Sequence, residues 1–286
     1  MRLRSLLFVP GDRPDRMEKA LGSGADALIL DLEDAVAPAG KPDARRMVAD
    51  FVARGHHGPA IFVRINPLDG DGDGDADADL AAVAAARPTG YILPKAESGG
   101  DVDDLAARLD RLGDAAARII AIASETPRAV FGLGTYSGCS SRLAGLSWGA
   151  EDLPAAIGAT AAREADGRYT PVYEVVRTLA LMGAHAAGVT ALDTVYPAFR
   201  DLDGLAAYAA RARRDGFGGM LAIHPAQVAA INAAFTPSAV EIAHAQAVVD
   251  AFDANPGVGA LSLNGRMIDA PHLKAAQRIL AQAAAL

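Results

Sequence analysis

The stretch ALILDLEDAV, residues 27–36, joins an apolar run to three carboxylates and sets how the whole chain is interpreted. Residues 27–30 have the continuous apolar character of a strand that is buried on both faces, as in parallel sheets. Asp31, Glu33 and Asp34 follow within four positions, although an unpaired carboxylate inside a protein core is very costly. The acids therefore indicate that this strand ends at a functional surface.

Similar apolar runs recur along the chain and alternate with Ala- and Leu-rich segments of helical character. The predicted strands are 5–10, 27–32, 60–65, 90–94, 118–124, 143–149, 191–196 and 219–225. The predicted helices between them include 14–21, 42–53, 102–112, 171–187 and 202–215. Strands and helices that alternate in this way pair in parallel through βαβ crossovers. Eight such units favour the α/β class and a (β/α)8 TIM barrel over an open doubly wound sheet.

Two further helical segments, 238–254 and 270–286, follow the predicted barrel and are joined by a segment that contains Gly, Pro and Asn. A (β/α)8 barrel does not need them. The sequence therefore predicts a catalytic barrel domain over residues 1–235 and a C-terminal helical extension over residues 236–286. The extension is expected either to cap the barrel or to reach a neighbouring subunit.

Composition excludes several classes of protein. The formal net charge of −8 argues against a general surface for nucleic acid or anionic membranes. No apolar run approaches the roughly 18 residues of a membrane span, and the N-terminal apolar run is too short for a signal peptide. The single cysteine, Cys139, excludes an internal disulfide, and no zinc-type Cys/His spacing is present. We expect a cytoplasmic protein without nucleic-acid or membrane partners.

An acidic segment, LDGDGDGDADADL at residues 68–80, partly matches a calcium-binding loop. Asp69, Asp71 and Asp73 match the opening of an EF-hand loop, but Leu80 occupies the position of the bidentate glutamate. We interpret the segment as a solvated acidic loop, and incidental calcium binding is the alternative.

Polar side chains crowd the carboxyl ends of the predicted strands. They are Asp31, Glu33, Asp34, Arg64, Asn66, Lys95, Glu125, Glu151, Asp152, Asp193 and His224. In a (β/α)8 barrel all of these ends open onto one face, which carries the active site. Residues that are distant in the sequence would then surround a single opening, and this explains why a buried strand ends in acids.

Each of these residues also has a structural interpretation. Asp31 or Asp34 would cap the following helix. Arg64 would serve as a structural partner for those acids, and Lys95 would be an ordinary surface lysine. For His224, which precedes a proline, the structural interpretation is favoured. The group as a whole is more informative than any single member.

Glu125 and Asp152 follow consecutive predicted strands, and adjacent strands lie about 4.8 Å apart. Two carboxylates at this separation suit one Mg²⁺ ion, which takes few protein carboxylates together with waters and substrate oxygens. A 2-oxo acid would chelate the ion through its carboxylate and keto oxygens, while Arg64 would bind those oxygens with a cationic fork. Such a site polarises a carbonyl and stabilises an enolate, which favours making or breaking the adjacent carbon–carbon bond.

Several stretches together resemble the citrate lyase beta-chain-like proteins of the HpcH/HpaI aldolase superfamily, which includes malyl-, citramalyl- and citryl-CoA lyases. The stretches are RSLLFVPGDRPDRMEKA, DLEDAV, VRIN, PK, SET, GAEDL, ALDTVY, GF-x-G, IHPAQV and GRMIDAPH, in the order typical of the family. The resemblance covers nearly the whole chain. It implies a magnesium-dependent barrel that forms a homotrimer or a hexamer and binds an acyl-CoA and a 2-oxo acid (oxaloacetate, pyruvate or glyoxylate).

The resemblance also implies roles for the acidic cluster and its arginine. Glu125 and Asp152 match metal ligands, and Glu125 is also expected to contact the substrate. Arg64 matches the arginine that binds the oxo acid. Glu33 and Asp34 match acids that organise metal-bound waters, so both are expected to be catalytic.

Four basic residues, Arg13, Lys19, Lys41 and Arg45, lie where the family places groups near the phosphates of coenzyme A. Asp269, in GRMIDAPH, matches an aspartate that the C-terminal segment of a neighbouring subunit delivers. Its implied role is proton transfer at the alpha carbon of the acyl-CoA, which requires hydrogen-bond reach. Capping of the last helix is the alternative role for Asp269.

The function implied by the resemblance is a magnesium-dependent acyl-CoA lyase that cleaves a 3-hydroxyacyl-CoA into an acyl-CoA and a 2-oxo acid. The alternatives are a malyl-CoA thioesterase and the beta subunit of a citrate lyase complex that acts on an acyl-carrier-bound substrate. A CoA-independent pyruvate aldolase is disfavoured by the basic residues after the first two strands. Two departures from the family, Met220 in place of a frequent lysine and Pro127 in place of a small residue, leave the acyl group open.

Overall fold

The computed structural model describes residues 1–69 and 75–284. The chain folds into two compact units, of which the first covers Leu3–Asn232 and the second begins at Ala233. The centre of the possible calcium loop, residues 70–74, lies outside the described residues.

Parallel strands build the first unit. Within the described residues they are β1 (Ser5–Pro10), β2 (Ala27–Asp31), β3 (Ala60–Arg64), β4 (Gly90–Leu93), β5 (Arg118–Ile122), β6 (Leu143–Ser147), β7 (Thr190–Asp193) and β8 (Gly219–Ala222). Neighbours in the chain are neighbours in the sheet, and β8 pairs with β1, so the sheet closes into a barrel. This confirms the predicted α/β class and the (β/α)8 TIM barrel.

Helices connect the strands and follow the last one. They are α1 (Pro14–Leu21), α2 (Lys41–Ala53), α3 (Ala76–Val83), α4 (Gly99–Arg111), α5 (Pro127–Gly132), α6 (Asp152–Ile157), α7 (Pro171–Ala186), α8 (Leu202–Asp215) and α9 (Pro225–Ala234). Short 3-10 helices lie at Pro38–Gly40, Ala84–Ala86 and Leu133–Tyr136. Pro127 begins α5 after the capping residue Thr126, a position where proline loses no helical hydrogen bond.

Apolar side chains from alternate strand positions fill the barrel interior. They include Leu6, Ala27, Ile29, Phe62, Ile92, Ile120, Ile122, Leu192 and Leu221. Because Ala27 and Ile29 point inward, the two-residue repeat of a strand also points Asp31 inward, at the carboxyl end of β2. The register sets Asp31 directly beside Arg64 on β3. An acid and an arginine therefore close the top of the core together.

The acidic segment was predicted to be a solvated loop, but from residue 75 onward it forms the start of helix α3. Asp75 caps α3 by accepting a hydrogen bond from the backbone N–H of Ala78 at 2.9 Å. Asp79 is buried and forms an ion pair with Arg45 at 2.6 Å. Carboxylates stabilise the first turn of a helix, where N–H groups lack partners. This preference explains why the acids start a helix here.

The second unit contains α10 (Ala239–Asp253), α11 (Ala270–Ala284) and an antiparallel hairpin of β9 (Ala260–Leu263) and β10 (Arg266–Asp269). The two helices match the predicted C-terminal helices, whereas the hairpin is an addition to the prediction. Asn264 and Gly265 both have positive φ, as a type I′ hairpin turn requires. Contact of this unit with a neighbouring subunit stays a prediction.

No helix in the described part of the chain is long and apolar enough to cross a lipid bilayer.

Closure of the barrel depends on a glycine. Gly219 begins β8, and a Cβ atom at this position would lie 1.8 Å from the carbonyl oxygen of Leu3. The next residue, Met220, donates its N–H to the carbonyl of Arg4 at 2.8 Å. Any side chain at position 219 would therefore push β8 away from the segment that leads into β1.

We predict that Gly219→Ala lowers the free energy of unfolding by about 1–3 kcal/mol or more. The reason is that the carbonyl of Leu3 cannot move away without breaking the hydrogen bonds that join β8 to the segment leading into β1. Urea denaturation followed by circular dichroism measures the change. The matched control is Gly134→Ala, since a Cβ atom there meets no heavy atom within 4 Å. Equal stability of the two variants would contradict the prediction.

Candidate active site

A cavity of about 440 Å³ lies at the carboxyl ends of the strands, and we call it the central cavity. Its charged lining residues are Arg16, Asp31, Asp34, Arg64, Glu125, Glu151 and Asp152. Its apolar wall includes Phe8, Ile122, Trp148, Val195, Leu221 and Ile223. The volume and the mixed lining are typical of small-molecule sites. The structure thus brings the two expected metal ligands, the expected substrate arginine and Asp34 to one place.

Glu125 and Asp152 reach the central cavity from adjacent strands. Glu125 follows β5 and is buried, while Asp152 begins α6 just after β6 and is partly exposed. A Cβ atom at Gly149 would lie 2.4 Å from Cγ of Glu125. The glutamate side chain therefore packs against the β6–α6 loop that carries Asp152, and only glycine leaves room for it.

The electrostatic environment of Glu125 disfavours its charged form. Burial raises the pKa of Glu125 to about 8, and the negative charges of Asp152 and Glu33 add to the effect. The backbone N–H of Lys95 donates to Oε2 of Glu125 at 2.5 Å and offsets part of the shift. A cation in the cavity would favour the ionised carboxylate.

Arg64 is held as a fixed cation. Its Nε and Nη2 atoms donate to the two carboxylate oxygens of Asp31 at 2.8 and 2.6 Å, and Nη1 lies 2.7 Å from Oε2 of Glu33. Burial alone would lower the pKa of Arg64, but the two acids raise it above its ordinary value. Arg64 is therefore charged at every accessible pH. Its pairing with the acids matches the structural interpretation, and its place in the cavity lining matches the functional one.

Asp31 also organises the loop after β2. Its carboxylate accepts hydrogen bonds from the backbone N–H groups of Glu33 at 3.0 Å and Ala35 at 3.3 Å. This is the local capping that the structural interpretation of Asp31 describes, here at a loop instead of a helix. The same carboxylate thus fixes both the loop that carries Glu33 and the orientation of Arg64.

Lys95 lies between two of the acids, Glu33 and Asp152. From sequence alone, an ordinary surface lysine was the alternative interpretation. Its Nζ atom lies 2.6 Å from Oε1 of Glu33 and 3.8 Å from Oδ1 of Asp152. Burial would lower the pKa of Lys95, but the bond to Glu33 and the charges of Glu125 and Asp152 raise it. Its φ of 50° is a left-handed conformation that is uncommon outside glycine. This conformation directs the amide and the ammonium toward different carboxylates.

Glu33 and Asp34 differ in environment. Glu33 is buried between the two cations, and burial raises the pKa of its carboxyl group although Arg64 and Lys95 oppose the shift. Asp34 is 59% exposed at its side chain and lies 3.8 Å from Arg64. Both fit the expected vicinity of the metal ligands, and their catalytic roles stay predictions.

The four residues predicted near the coenzyme A phosphates do not form one cluster. Lys41 is buried and donates a short hydrogen bond to Asn66, and Arg45 pairs with the buried Asp79. Arg13, just before α1, and Lys19, on α1, are both exposed. Arg13 pairs with Asp15, two residues further along the chain. Two of the four are thus already engaged in the protein interior. The phosphate-binding role of the group stays a prediction.

A second cavity of about 800 Å³, which we call the side cavity, lies beside the ends of β2, β3 and β4. Lys41, Lys95, Asn66 and Glu33 are among its lining residues, and Asp34 lines both cavities. The exposed residues Arg13 and Lys19 line neither cavity.

Asp193 does not belong to the lining of either cavity, in contrast to its expected place around the opening. Its side chain points away from the barrel axis, because Leu192 beside it points inward. The Asp193 carboxylate accepts hydrogen bonds from Trp148 Nε1 at 2.7 Å, from Arg177 Nη2 at 2.7 Å and from Tyr208 at 3.0 Å. Asp193 thus orients the tryptophan in the cavity wall.

His224 also lies outside both linings, which agrees with the favoured structural interpretation. Its ring stacks on Phe199 with centroids 4.8 Å apart, and its Nδ1 atom accepts a hydrogen bond from the backbone of Ala226. The histidine therefore packs against the loop between β7 and α8.

Asp269 ends β10 in the second unit, directly before α11. Its Oδ1 atom lies 2.5 Å from Nδ1 of His272, a pairing across the first turn of the helix. The partner is a side chain and not a backbone N–H group, so the capping alternative also stays a prediction. The predicted proton transfer by Asp269 stays a prediction.

The residues of the central cavity fit a magnesium ion in their chemistry. Glu125 and Asp152 supply carboxylate oxygens, the ligands that Mg²⁺ prefers, while burial raises the pKa of Glu125 and the negative charges of Asp152 and Glu33 raise it further. Among the described residues, no group of three or more His, Cys, Asp or Glu side chains is arranged to hold a metal. Two protein carboxylates therefore suit an ion whose other ligands are water and substrate oxygens.

Comparison with known proteins identifies relatives along the whole chain. The family profile described as HpcH/HpaI aldolase/citrate lyase matches residues 4–225. A (3S)-malyl-CoA thioesterase of Cereibacter sphaeroides is 34% identical over 289 residues, covering 99% of this chain and 95% of the relative.

Two solved structures from Mycobacterium tuberculosis are also similar. The protein CitE in complex with magnesium, acetoacetate and coenzyme A is 36% identical with a TM-score of 0.81, covering 98% of both chains. The citrate lyase beta subunit complexed with oxaloacetate and magnesium is 38% identical with a TM-score of 0.70, covering 82% of this chain and 96% of that one. Matches of this identity and coverage, together with the family profile, show that the chain belongs to the HpcH/HpaI aldolase/citrate lyase family.

Proposed function

We propose that this protein is a magnesium-dependent acyl-CoA lyase that cleaves a 3-hydroxyacyl-CoA, such as malyl-, citramalyl- or citryl-CoA, into an acyl-CoA and a 2-oxo acid. The observation that carries the proposal is the meeting of Glu125, Asp152 and Arg64 in one cavity at the carboxyl end of the barrel. The solved relatives that contain magnesium with coenzyme A or oxaloacetate support it.

Glu125 and Asp152 would hold the ion, and Glu33 and Asp34 would orient the waters around it. When bound, magnesium polarises the carbonyl of the oxo acid and stabilises negative charge on its oxygen. Arg64, which Asp31 and Glu33 hold in place, would bind oxygens of the oxo acid portion with the guanidinium N–H groups that these two acids leave free.

The reaction balances without a redox partner. The 3-hydroxyl group releases one proton to the solvent and becomes the keto oxygen of the oxo acid as the bond between carbons 2 and 3 breaks. The electrons of that bond form the enolate of the shorter thioester, which takes up a proton at its alpha carbon. We assign this protonation to Asp269, with the C-terminal unit of a neighbouring subunit in a trimer or hexamer as its source.

A thioesterase is the second candidate function, because the chain is 34% identical to a (3S)-malyl-CoA thioesterase. Hydrolysis of the thioester would release free coenzyme A, whereas cleavage of the carbon–carbon bond releases an acyl-CoA and an oxo acid. The two activities are therefore distinguished by their products.

We predict that the purified protein with Mg²⁺ releases a 2-oxo acid and an acyl-CoA from at least one of the three thioesters. Glu125→Gln and Asp152→Asn should each lower kcat/KM by about 10²-fold or more, since each removes a charged ligand. Chromatography of the CoA products, with coupled detection of the oxo acid, measures both. Glu18→Gln on the surface of α1 is the matched control.

Release of free coenzyme A alone would favour the thioesterase. Turnover of the same acyl group only on an acyl-carrier protein would favour the beta subunit of a citrate lyase complex. Absence of turnover on all of these substrates would contradict the proposed function.

We predict that stabilisation by Mg²⁺ increases between about pH 6 and about pH 9, because protons compete with the ion for Glu125. The folded-state pKa of Glu125, about 8, lies above the ordinary value of 4.5. The protonated group therefore favours the metal-free fold at low pH, and this contribution is lost as the pH rises through about 8. Thermal unfolding with and without Mg²⁺ measures the difference in Tm at each pH.

In Glu125→Gln the difference in Tm should be small at every pH, while Glu18→Gln should keep the wild-type profile. A difference that is large and constant across the range would contradict the assignment of Glu125 as a titrating ligand.

We predict that Gly149→Ala displaces the carboxylate of Glu125, because the new Cβ atom would lie 2.4 Å from Cγ. The variant should bind Mg²⁺ at least about tenfold more weakly and lose activity in proportion. Isothermal titration with Mg²⁺ measures this, and Gly134→Ala is the control. If Gly149→Ala bound Mg²⁺ with wild-type affinity, the observed orientation of the Glu125 side chain would not be the one that binds the ion.

A further inference from the structure

The cations around the two cavities differ in whether they already have a carboxylate partner. Arg64 pairs with Asp31 and Glu33, and Lys95 pairs with Glu33. Arg16 lines the central cavity and is exposed at its opening. Across residues 1–69 and 75–284, the Arg16 side chain forms no hydrogen bond, ion pair or ring contact. It is thus a cation in the cavity lining whose charge the protein does not neutralise.

Helix stability does not account for this arginine. Arg16 lies in the first turn of α1, where the helix dipole favours acids and disfavours cations. The neighbouring acid, Asp15, is already paired with Arg13 at 3.2 Å. Arg16 therefore has neither a favourable helix position nor a partner on its own helix, while its guanidinium keeps a full set of donors for an anion.

The lining of the central cavity combines charged and apolar side chains. Glu125, Asp152 and Arg64, the residues proposed to hold the 2-oxo carboxylate, come from the ends of β5, β6 and β3. The wall beside β1 and β8 is apolar, with Phe8 and Leu221, and the Phe8 ring packs against the Arg64 guanidinium with Cζ 4.9 Å from the ring centroid. Arg16 follows β1 and lines the same cavity. A methyl substituent on the oxo acid would need only the apolar wall. A second carboxylate would need a cation, since an unpaired charge against an apolar surface is costly.

We propose that Arg16 binds the distal carboxylate of a dicarboxylic 2-oxo acid and thereby selects oxaloacetate-type products over monocarboxylic ones such as pyruvate. This inference rests on the proposed function and names the substrate class of the same site. It makes Arg16 a specificity-determining residue and not a ligand of the metal. A phosphate of coenzyme A is the other anion that could use the same guanidinium, so the test includes it.

The test is isothermal titration of oxaloacetate, pyruvate and coenzyme A separately into the full-length protein with saturating Mg²⁺. The wild type should bind oxaloacetate about tenfold more tightly than pyruvate, as a charge-assisted hydrogen bond provides. Arg16→Gln should lose about tenfold in affinity for oxaloacetate and keep its affinity for pyruvate, and Arg16→Lys should lie between. Arg46→Gln, an exposed arginine of α2 paired with Asp43, is the matched control.

Three results would overturn the inference. An equal effect of Arg16→Gln on oxaloacetate and pyruvate would show that the residue does not read the distal carboxylate. No effect on either would give it no role in oxo-acid binding. Weakened binding of coenzyme A alone would assign Arg16 to a phosphate. Failure of the wild type to bind either oxo acid with Mg²⁺ would instead remove the proposed function, and the inference with it.

Discussion

Hydrogen bonds between β1 and β8 close the parallel sheet, and the arrangement of the site depends on this closure. In an all-parallel barrel every strand ends on the same face, so residues that are far apart in the sequence become neighbours. Asp31, Arg64, Glu125 and Asp152 come from four different strand ends and line one cavity. An open sheet of the same strands would place β1 and β8 at opposite edges. Phe8 and Leu221 would then be on opposite edges as well, and could not share one wall.

Charge balance is the second constraint on this face. Buried carboxylates are tolerated only when cations or hydrogen-bond donors compensate them. Asp31 and Glu33 obtain this compensation from Arg64 and Lys95, and Asp31 also from backbone N–H groups. Glu125 receives one backbone donor, which does not offset the burial that raises its pKa or the added effect of the Asp152 and Glu33 charges. The protein thus leaves one buried acid incompletely compensated, as a site for a divalent cation requires.

The barrel could be predicted from sequence because it depends on hydrophobic periodicity and element length, which the chain displays plainly. Most predicted strands extended beyond the observed carboxyl ends; 191–196, for example, is observed as Thr190–Asp193. Residues beyond the observed ends, such as Leu32, Ile65 and Trp148, are apolar and buried, so the hydrophobic run continues past the paired part of the strand. The β9–β10 hairpin also has a sequence signal, because Asn264 and Gly265 are the residues that a type I′ turn prefers and they lie between short apolar runs.

The site was predicted less completely than the fold. The acids and Arg64 were identified because charges after buried strands are unusual. Asp193 differs from its expected place because Leu192 takes the inward position at the end of β7, so the neighbouring Asp193 points away from the barrel axis. Lys95 and Arg16 could not be assigned from sequence, because whether a surface-type cation faces a carboxylate, a cavity or solvent depends on the folded chain.

Trp148 gives the central cavity an optical property of its own. It is the only tryptophan in the chain, it is fully buried in the cavity wall, and its indole N–H is bound by Asp193. The intrinsic emission of the whole protein at tryptophan wavelengths therefore arises from a single fluorophore beside the place where a ligand would sit. Occupancy of this cavity can be followed in the unmodified chain, without any label.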